Sequence, residues 1–511
     1  MDYAHKVQPW HHQSVVFELS RDRDEFALLM EQRTGKSKVL IDTCAWNYSN
    51  GRITGLLVVA PNGVDADWAQ KYFAQHWPDW AGTPVIAHWE GGLRKKDEAA
   101  LYDPSRATLF HVLCMNVEAF SRSPRAQAAA EKFLRIFKVL MAVDESSLIK
   151  DPSSGRTKNV TKLGKRAVMR RILTGTPSTQ SPLDIFAQFK FLNIHLLGFQ
   201  SYYAFKAHFA EILPESSALV QNILQKLPAN KRRNVPQIVA TDSNGRPKYK
   251  NLDELQKLMD PHCFRIKREQ CGDTPEKLYS TRSVPLTDEQ KHHYDLVVEN
   301  ILVETSHGEL TVSNQLTRLL RLQQITGGFM PHDHDDGHAQ PLKQNRIEAL
   351  LQEVEQVPGG VIVWARFRAE LNAIAEALRE AYGHAAVVEY HGGIADELRE
   401  QAKTAFKLET HDQFPKVRFF VGNQAAGSYG LELTVADHVV YYSNLFSLEK
   451  RLQSEDRPIT LMKPQGVAYL DLQALGTVDD KIVAALQGKK EVADSLLDSG
   501  GLTAWLKREK K

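Results

Sequence analysis

The sequence has little cysteine and no arrangement of it. Its four thiols, Cys44, Cys114, Cys263 and Cys271, show no pair at the two-residue spacing of a zinc knuckle or redox motif. They read as free thiols of a reducing compartment. No apolar run approaches the roughly 18 residues that span a bilayer, and the opening MDYAHKVQPWHHQ lacks the apolar core of a secretion signal. These absences point to an intracellular chain with no membrane segment. Excess charge of one sign is missing too. Lys and Arg number 64 against 62 Asp and Glu, a formal net charge of +2, so any surface for a polyanion has to be local. No short-period repeat is present.

What the sequence does contain is ordinary soluble composition, 42% apolar and 25% charged, so most of it can fold. At 511 residues it exceeds what one core holds, which calls for two large lobes plus insertions. From Phe26 to about Phe191, short apolar runs alternate with longer helical patterns, the grammar of a parallel sheet covered by helices. The expected strands are ALLM, GLLVVA, TLFHVL, KVLMAVD and RRILTG. Each ends in a loop of polar or small residues, where ligands gather in an open α/β sheet. Residues 192–344 read as helical insertions and an interlobe linker, interrupted by NKRRN at 230–234 and PHDHDDGHAQ at 331–340. A second α/β lobe occupies 345–511, with strands VIVWA, AAVVEYH, KVRFFVG, ADHVVYYS and VAYLDL and a terminal helix in DKIVAALQGKKEVADSLL.

The strongest chemical signal is MEQRTGKS, residues 30–37, which follows the apolar run FALL and precedes the helical KVLIDT. In such a strand–loop–helix turn, backbone N–H groups cradle phosphates, the Lys reaches the terminal phosphates and the Ser hydroxyl ligates magnesium. Thr34, Gly35 and Lys36 are thus candidates for binding ATP, and Ser37 for binding Mg²⁺. The strict pattern wants Gly where Met30 stands. Further along, KVLMAVDESS places Asp144 and Glu145 at the end of an apolar strand. An Asp there can hold the magnesium, and the adjacent Glu can orient or deprotonate the attacking water.

The order of these and further motifs resembles the Swi/Snf-like ATPases of helicase superfamily two over almost the whole chain. PWHHQ at 9–13 looks like that family's adenine-reading element, with Gln13 the adenine ligand; VVAPN at 58–62 resembles motif Ia, DESSLIKDPSSGRTK motif II, and LTGTP at 173–177 motif III. VIVWARF resembles motif IV, and YHGG followed by NQAAGSYGLELTVADHVVYYSNLFSLEKRLQSEDR resembles motifs V and VI. The resemblance implies an α/β protein of two tandem RecA-like parallel-sheet lobes with helical insertions between them. It implies ATP and Mg²⁺ as cofactors, hydrolysis in the interlobe cleft, and movement on double-stranded DNA. From the second lobe, Arg457 would stabilise phosphoryl transfer, with Gln453 and Asp456 lining the same cleft. Gly427 and Gly430, lacking side chains, would let backbone approach a phosphate. Thr174, Gly175 and Thr176, before Pro177, would touch motif II. A compact chain of this kind suits a bacterial, archaeal or viral setting.

Two positions depart from the family. Thr460 stands where a second Arg is usual, three residues after Arg457, with Arg451 a candidate substitute. Ser147 ends motif II where His is frequent. These departures keep two other readings open: an ATP-gated DNA clamp with weak or no hydrolysis, and a duplex-unwinding helicase. KLGKRAVMRR at 162–171, NKRRN at 230–234 and FRIKRE at 264–269 are candidate phosphate-gripping clusters. His332, His334 and His338 sit among Asp and Gly, which favours a surface loop over a metal site.

Overall fold

A computed structural model describes residues 3–175, 177, 181–226, 237–242, 246–272, 275–306, 312–331, 339–407, 417–425, 431–460, 463 and 466–488. The chain divides into two compact units, Met1–Asp242 with Pro247–Asp273, and Thr274–Lys511 with Ser243–Arg246.

The first unit is built on β1 (Glu25–Met30), β2 (Gly55–Ala60), β3 (Val85–Trp89), β4 (His111–Asn116), β5 (Val139–Asp144), β6 (Met169–Leu173) and β7 (Cys263–Ile266). They form one seven-stranded sheet in the order β3-β4-β2-β5-β6-β1-β7. Every pairing in it is parallel. Parallel neighbours need a crossover between them, and helices supply it. Among these are α2 (Lys36–Ser49) and the helices Pro124–Ile136, Gly155–Gly164 and Ile185–Leu192, while α1 (His11–Ser20) precedes β1. Helices on both faces bury β2 and β5 along their whole length, which is why GLLVVA and VLMAVD read as unbroken apolar runs. Ile172, Met141, Phe133, Phe186 and Phe189 belong to the resulting core.

Register then places the loops. Asp144 lies opposite Leu173, and Leu173 opposite Leu28. Because β5, β6 and β1 are parallel neighbours, the segments after all three leave the sheet at the same edge.

The second unit opens with β8 (Lys277–Val284), followed by a small antiparallel pair, β9 (Phe329–Pro331) and β10 (Ala339–Pro341). Its main sheet adds β11 (Gly360–Trp364), β12 (Val387–Tyr390), β13 (Phe419–Gly422), β14 (Ala436–Tyr441) and β15 (Val467–Ala474). Six strands run in the order β12-β13-β11-β14-β15-β8, again all parallel. One apolar cluster packs Leu371, Ile374 and Leu378 with Val361 and Val363. A second gathers Trp364, Phe420, Tyr441 and Tyr469. The α/β class with two parallel-sheet lobes is therefore the observed architecture.

The stretch 192–344 holds helices, and it also lends an edge strand to each sheet: β7 pairs with β1 and β8 with β15. Exposed Leu278 and Tyr279 lie on β8, so its pattern is neither an unbroken apolar run nor a clean alternation. The expected strand at TLFHVL begins three residues later, at His111. No helix among the described residues is long and apolar enough to cross a membrane. His332, His334 and His338 lie outside the described residues, among which no cluster of His, Cys, Asp and Glu suits a metal ion.

Candidate nucleotide site

After Met30 the chain turns through residues 31–35 into α2. Thr34 Oγ1 closes the turn by donating to the Glu31 carbonyl at 2.7 Å. Gly35 has φ +88°, and a Cβ added there would lie 2.1 Å from Gln13 Nε2. Both conformation and space therefore demand glycine at this point. Gln13 is itself fixed: its Oε1 accepts the Trp10 N–H at 3.0 Å and its Nε2 donates to the Thr34 carbonyl at 3.1 Å. His12 Nε2 lies 2.8 Å from the same carbonyl; a carbonyl only accepts, so this nitrogen carries the hydrogen. The PWHHQ segment thus braces the loop from outside. Lys36, the first residue of α2, is buried and donates to the carbonyls of Met30 at 2.8 Å and Glu31 at 3.2 Å. Ser37 follows it, half-buried, where the unpaired N–H groups of a helix start favour anions.

At the end of β5, Asp144 is buried, and both its oxygens accept from neighbours: Oδ2 from Trp68 Nε1 at 2.9 Å and Oδ1 from the Glu145 N–H at 3.0 Å. Burial raises the carboxyl's pKa, against the opposing pull of the Lys36 charge and these two donors. Glu145 sits in the left-handed region with φ +47°, a conformation that costs a non-glycine residue on the order of 1 kcal/mol or more.

The segment after β6 closes in on both elements. Thr174 is fully buried and lies 3.5 Å from Glu145 Oε2 through its hydroxyl. A Cβ on Gly175 would meet Glu31 Cα at 3.2 Å and Gln32 N at 3.3 Å. Thr176 lies outside the described residues. Two participants carried no signal in the sequence. Trp68 is buried, and its indole N–H needed a partner. Gln188, equally buried, accepts from Ser146 Oγ at 2.7 Å and donates to the Pro177 carbonyl at 2.6 Å. Only the cost of burying a polar tip could have drawn attention to either.

One further link runs to β7. The Arg268 N–H donates to Glu31 Oε2 at 3.0 Å, and the Glu31 N–H to the Ile266 carbonyl at 3.1 Å. In FRIKRE, therefore, Arg268 is buried, while Arg265 and Lys267 are exposed. The cluster at 162–171 is corrected in part. Arg171 is buried and donates to the carbonyls of Ser20, Arg23, Asp24 and Arg170, and Arg170 pairs with Glu25. Both serve the fold, which leaves Lys162, Lys165 and Arg166 exposed. NKRRN lies outside the described residues.

In the second unit, helix Leu448–Glu455 carries Gln453 and leads into Asp456 and Arg457. Arg457 is buried and donates to the carbonyls of Gln453 at 3.0 Å and Leu431 at 3.2 Å. Gln453 Nε2 donates to Glu449 at 3.1 Å, and Asp456 pairs with Lys277 of β8 at 3.1 Å. Arg451, the candidate substitute for the missing second Arg, holds Asp471 with Nη1 at 2.5 Å and Nη2 at 2.9 Å, and Glu455 with Nε at 2.8 Å. It is 2% exposed, its guanidinium lying over the Tyr441 ring. That fork is committed to joining the helix to β15. Gly427 and Gly430 lie outside the described residues. Gln13, Thr34, Gly35, Lys36, Ser37, Asp144 and Glu145 thus share the first unit, and Gln453, Asp456 and Arg457 the second.

Two family models match the chain in succession. Residues 21–327 match the SNF2-related domain, and residues 343–459 the helicase conserved C-terminal domain. The chain is 21% identical over 453 residues to the putative ATP-dependent helicase/translocase YwqA of Bacillus subtilis (strain 168), covering 87% of this chain and 43% of that protein. It is 23% identical over 501 residues to the DNA annealing helicase and endonuclease ZRANB3 of Mus musculus, covering 96% of this chain and 41% of that protein. It therefore spans less than half the length of either relative. Among solved structures, the Sulfolobus solfataricus SWI2/SNF2 ATPase core in complex with dsDNA aligns with a TM-score of 0.39 at 20% identity, over 99% of this chain and 96% of that one. With the SNF2-related domain matched over more than half its length and the helicase C-terminal domain following it, the chain belongs to the SNF2-related family.

Proposed function

We propose that this chain is an ATP-hydrolysing motor that travels along double-stranded DNA. The observation that carries the reading is the placement of Lys36, at the head of α2, within electrostatic reach of a buried Asp144 followed by a strained Glu145. A braced loop with an amine at its end, near a buried carboxylate followed by a second one, suits transfer of a phosphoryl group to water. Lys36 draws the terminal phosphates and the loop N–H groups hold them, while Glu145 orients or deprotonates the water. Gln13, which fixes the loop through Thr34, reads the base in this proposal. In the second unit Arg457 supplies charge to the transition state, with Gln453 and Asp456 beside it in the sequence.

Mg²⁺ suits the residues present. Asp144 and Ser37 offer hard oxygen donors, and each Asp144 oxygen accepts one hydrogen bond from the protein and keeps a lone pair. Burial raises the pKa of its carboxyl, and a dication beside it would favour the charged form. Mg²⁺ when bound neutralises charge on the transferring phosphoryl oxygens.

Double-stranded DNA as the track draws on the family and on the relatives' names, and on exposed cations at Lys162, Lys165, Arg166, Arg265 and Lys267. A triplex-displacement experiment tests movement directly. The motor should strip a third strand from a duplex only when ATP is hydrolysed, leaving the duplex paired. Separation of the duplex would favour the unwinding helicase, and ATP-dependent binding without displacement the clamp.

A further inference from the structure

Gln188 joins the carboxylate pair to the segment after β6, although it belongs to neither. It lies on helix Ile185–Leu192 and is 0% exposed. Its amide makes three hydrogen bonds: Oε1 accepts from Ser146 Oγ at 2.7 Å, and Nε2 donates to the carbonyls of Pro177 at 2.6 Å and Asp184 at 3.0 Å. Carbonyl oxygens only accept, so the nitrogen end must face Pro177 and Asp184, and the Ser146 hydroxyl must donate to the oxygen. A polar amide at this depth is costly unless its bonds are made. Here geometry and chemistry both lock it.

What it locks is the next residue along from the strained one. Glu145 has φ +47°, and its N–H is held from the front by Asp144 Oδ1 at 3.0 Å. Ser146, immediately behind it, is held by Gln188. Among the described residues, a contact between the two segments from Thr174 Oγ1 to Glu145 Oε2 measures 3.5 Å, the outer limit for a hydrogen bond. The path through Gln188 is made of shorter links.

We infer that Gln188 is a positioning residue that transmits the state of the Asp144–Glu145 pair to Pro177 and to helix Ile185–Leu192. A change at the Glu145 peptide displaces the Ser146 hydroxyl, and Gln188 moves with it, because losing that bond would leave a buried oxygen unpaired. Its nitrogen then carries the displacement to Pro177 and Asp184. The inference rests on the reading that the carboxylate pair serves a nucleotide site.

Amide hydrogen exchange of the full chain, with and without Mg²⁺ and a slowly hydrolysed ATP analogue, tests it. In the unaltered chain the analogue should slow exchange in Ile185–Leu192 by about tenfold or more. In Gln188→Leu it should slow exchange by less than about twofold, while the analogue's Kd stays within about threefold. A merely structural role would shift the nucleotide-free baseline and leave the nucleotide-dependent ratio as it was. Ser146→Ala, which deletes only the donating hydroxyl, gives the same readout if Gln188→Leu does not fold. Equal slowing in the unaltered and altered chains, or none in an unaltered chain that binds the analogue, overturns the relay alone. An unaltered chain that binds no analogue overturns the nucleotide reading, and the relay with it.

Discussion

Trp68 Nε1 donates to Asp144 Oδ2 at 2.9 Å, a buried indole holding a buried carboxylate across 76 residues of sequence. Trp68 opens a short π-helical turn, Trp68–Tyr72, a local irregularity that often marks functional sites. Trp68→Phe keeps an aromatic ring and removes the donor. A hydrogen bond to a charged group contributes about 1.5–3 kcal/mol. The variant should therefore need roughly tenfold more Mg²⁺ for half-maximal hydrolysis. A Mg²⁺ titration of hydrolysis reads this; an unchanged midpoint would show that the indole only fills space.

Gly35→Ala should fail for two reasons that add. The φ of +88° disfavours any side chain, and the new Cβ would lie 2.1 Å from Gln13 Nε2, breaking its bond to Thr34. ATP affinity should fall by about tenfold or more, measured by equilibrium binding. Gln13→Ala in the same background should restore space but leave the backbone penalty together with the loss of Gln13's own bond to Thr34.

How much of this was legible in the sequence depended on burial. GLLVVA coincides with β2, because a strand covered on both faces must be apolar throughout, and VAYLDL falls within β15, where buried residues alternate with half-buried ones over most of the strand. Of the edge strands, β12 was expected from AAVVEYH, but β3, β7 and β8 escaped. β3 alternates buried and half-buried residues with a His in the run, and β7 and β8 carry exposed polar or charged side chains. The residues around the loop were legible because phosphate chemistry fixes their types and spacing. Trp68 and Gln188 were not, because a hydrogen bond between residues far apart in the chain leaves no periodic trace. The basic string at 162–171 misled where Arg171 turns inward to four carbonyls, a role that charge alone does not reveal.

Arg457 and Arg451 should separate cleanly. Arg457→Ala is expected to lower turnover by about 100-fold or more with ATP affinity within about threefold, since its charge acts in the transition state. Arg451→Ala leaves Asp471 buried beside lost donors, and breaking such a pair costs about 3–5 kcal/mol. It should show first as a lowered melting temperature. Turnover and thermal melting on both variants check this; an Arg457→Ala enzyme with unchanged turnover and weak ATP binding would contradict the assigned role.

Stability of the second unit should depend on Glu370. Burial pushes its carboxyl from 4.5 up to about 7, opposed by the donors Ser443 and Phe367. With the folded value raised, the native state holds a proton that the unfolded chain releases earlier. Its stabilising effect is complete below about pH 4.5 and is lost as pH rises through about 7. Glu370→Gln removes the titration, so its stability relative to the unaltered chain should rise between about pH 5 and 8, by up to about 3 kcal/mol. Denaturant melts across that range provide the measurement, and a pH-independent difference would refute the buried, protonated state.

The most direct measurement is steady-state ATP hydrolysis by the unaltered chain, alone and with duplex DNA, single-stranded DNA or RNA, beside Lys36→Ala and Glu145→Gln. Strong stimulation by duplex DNA is expected, with no turnover in either variant and ATP still bound by Glu145→Gln. Turnover that persists in Lys36→Ala, or an unaltered chain that binds ATP and never hydrolyses it with any nucleic acid, would contradict the motor.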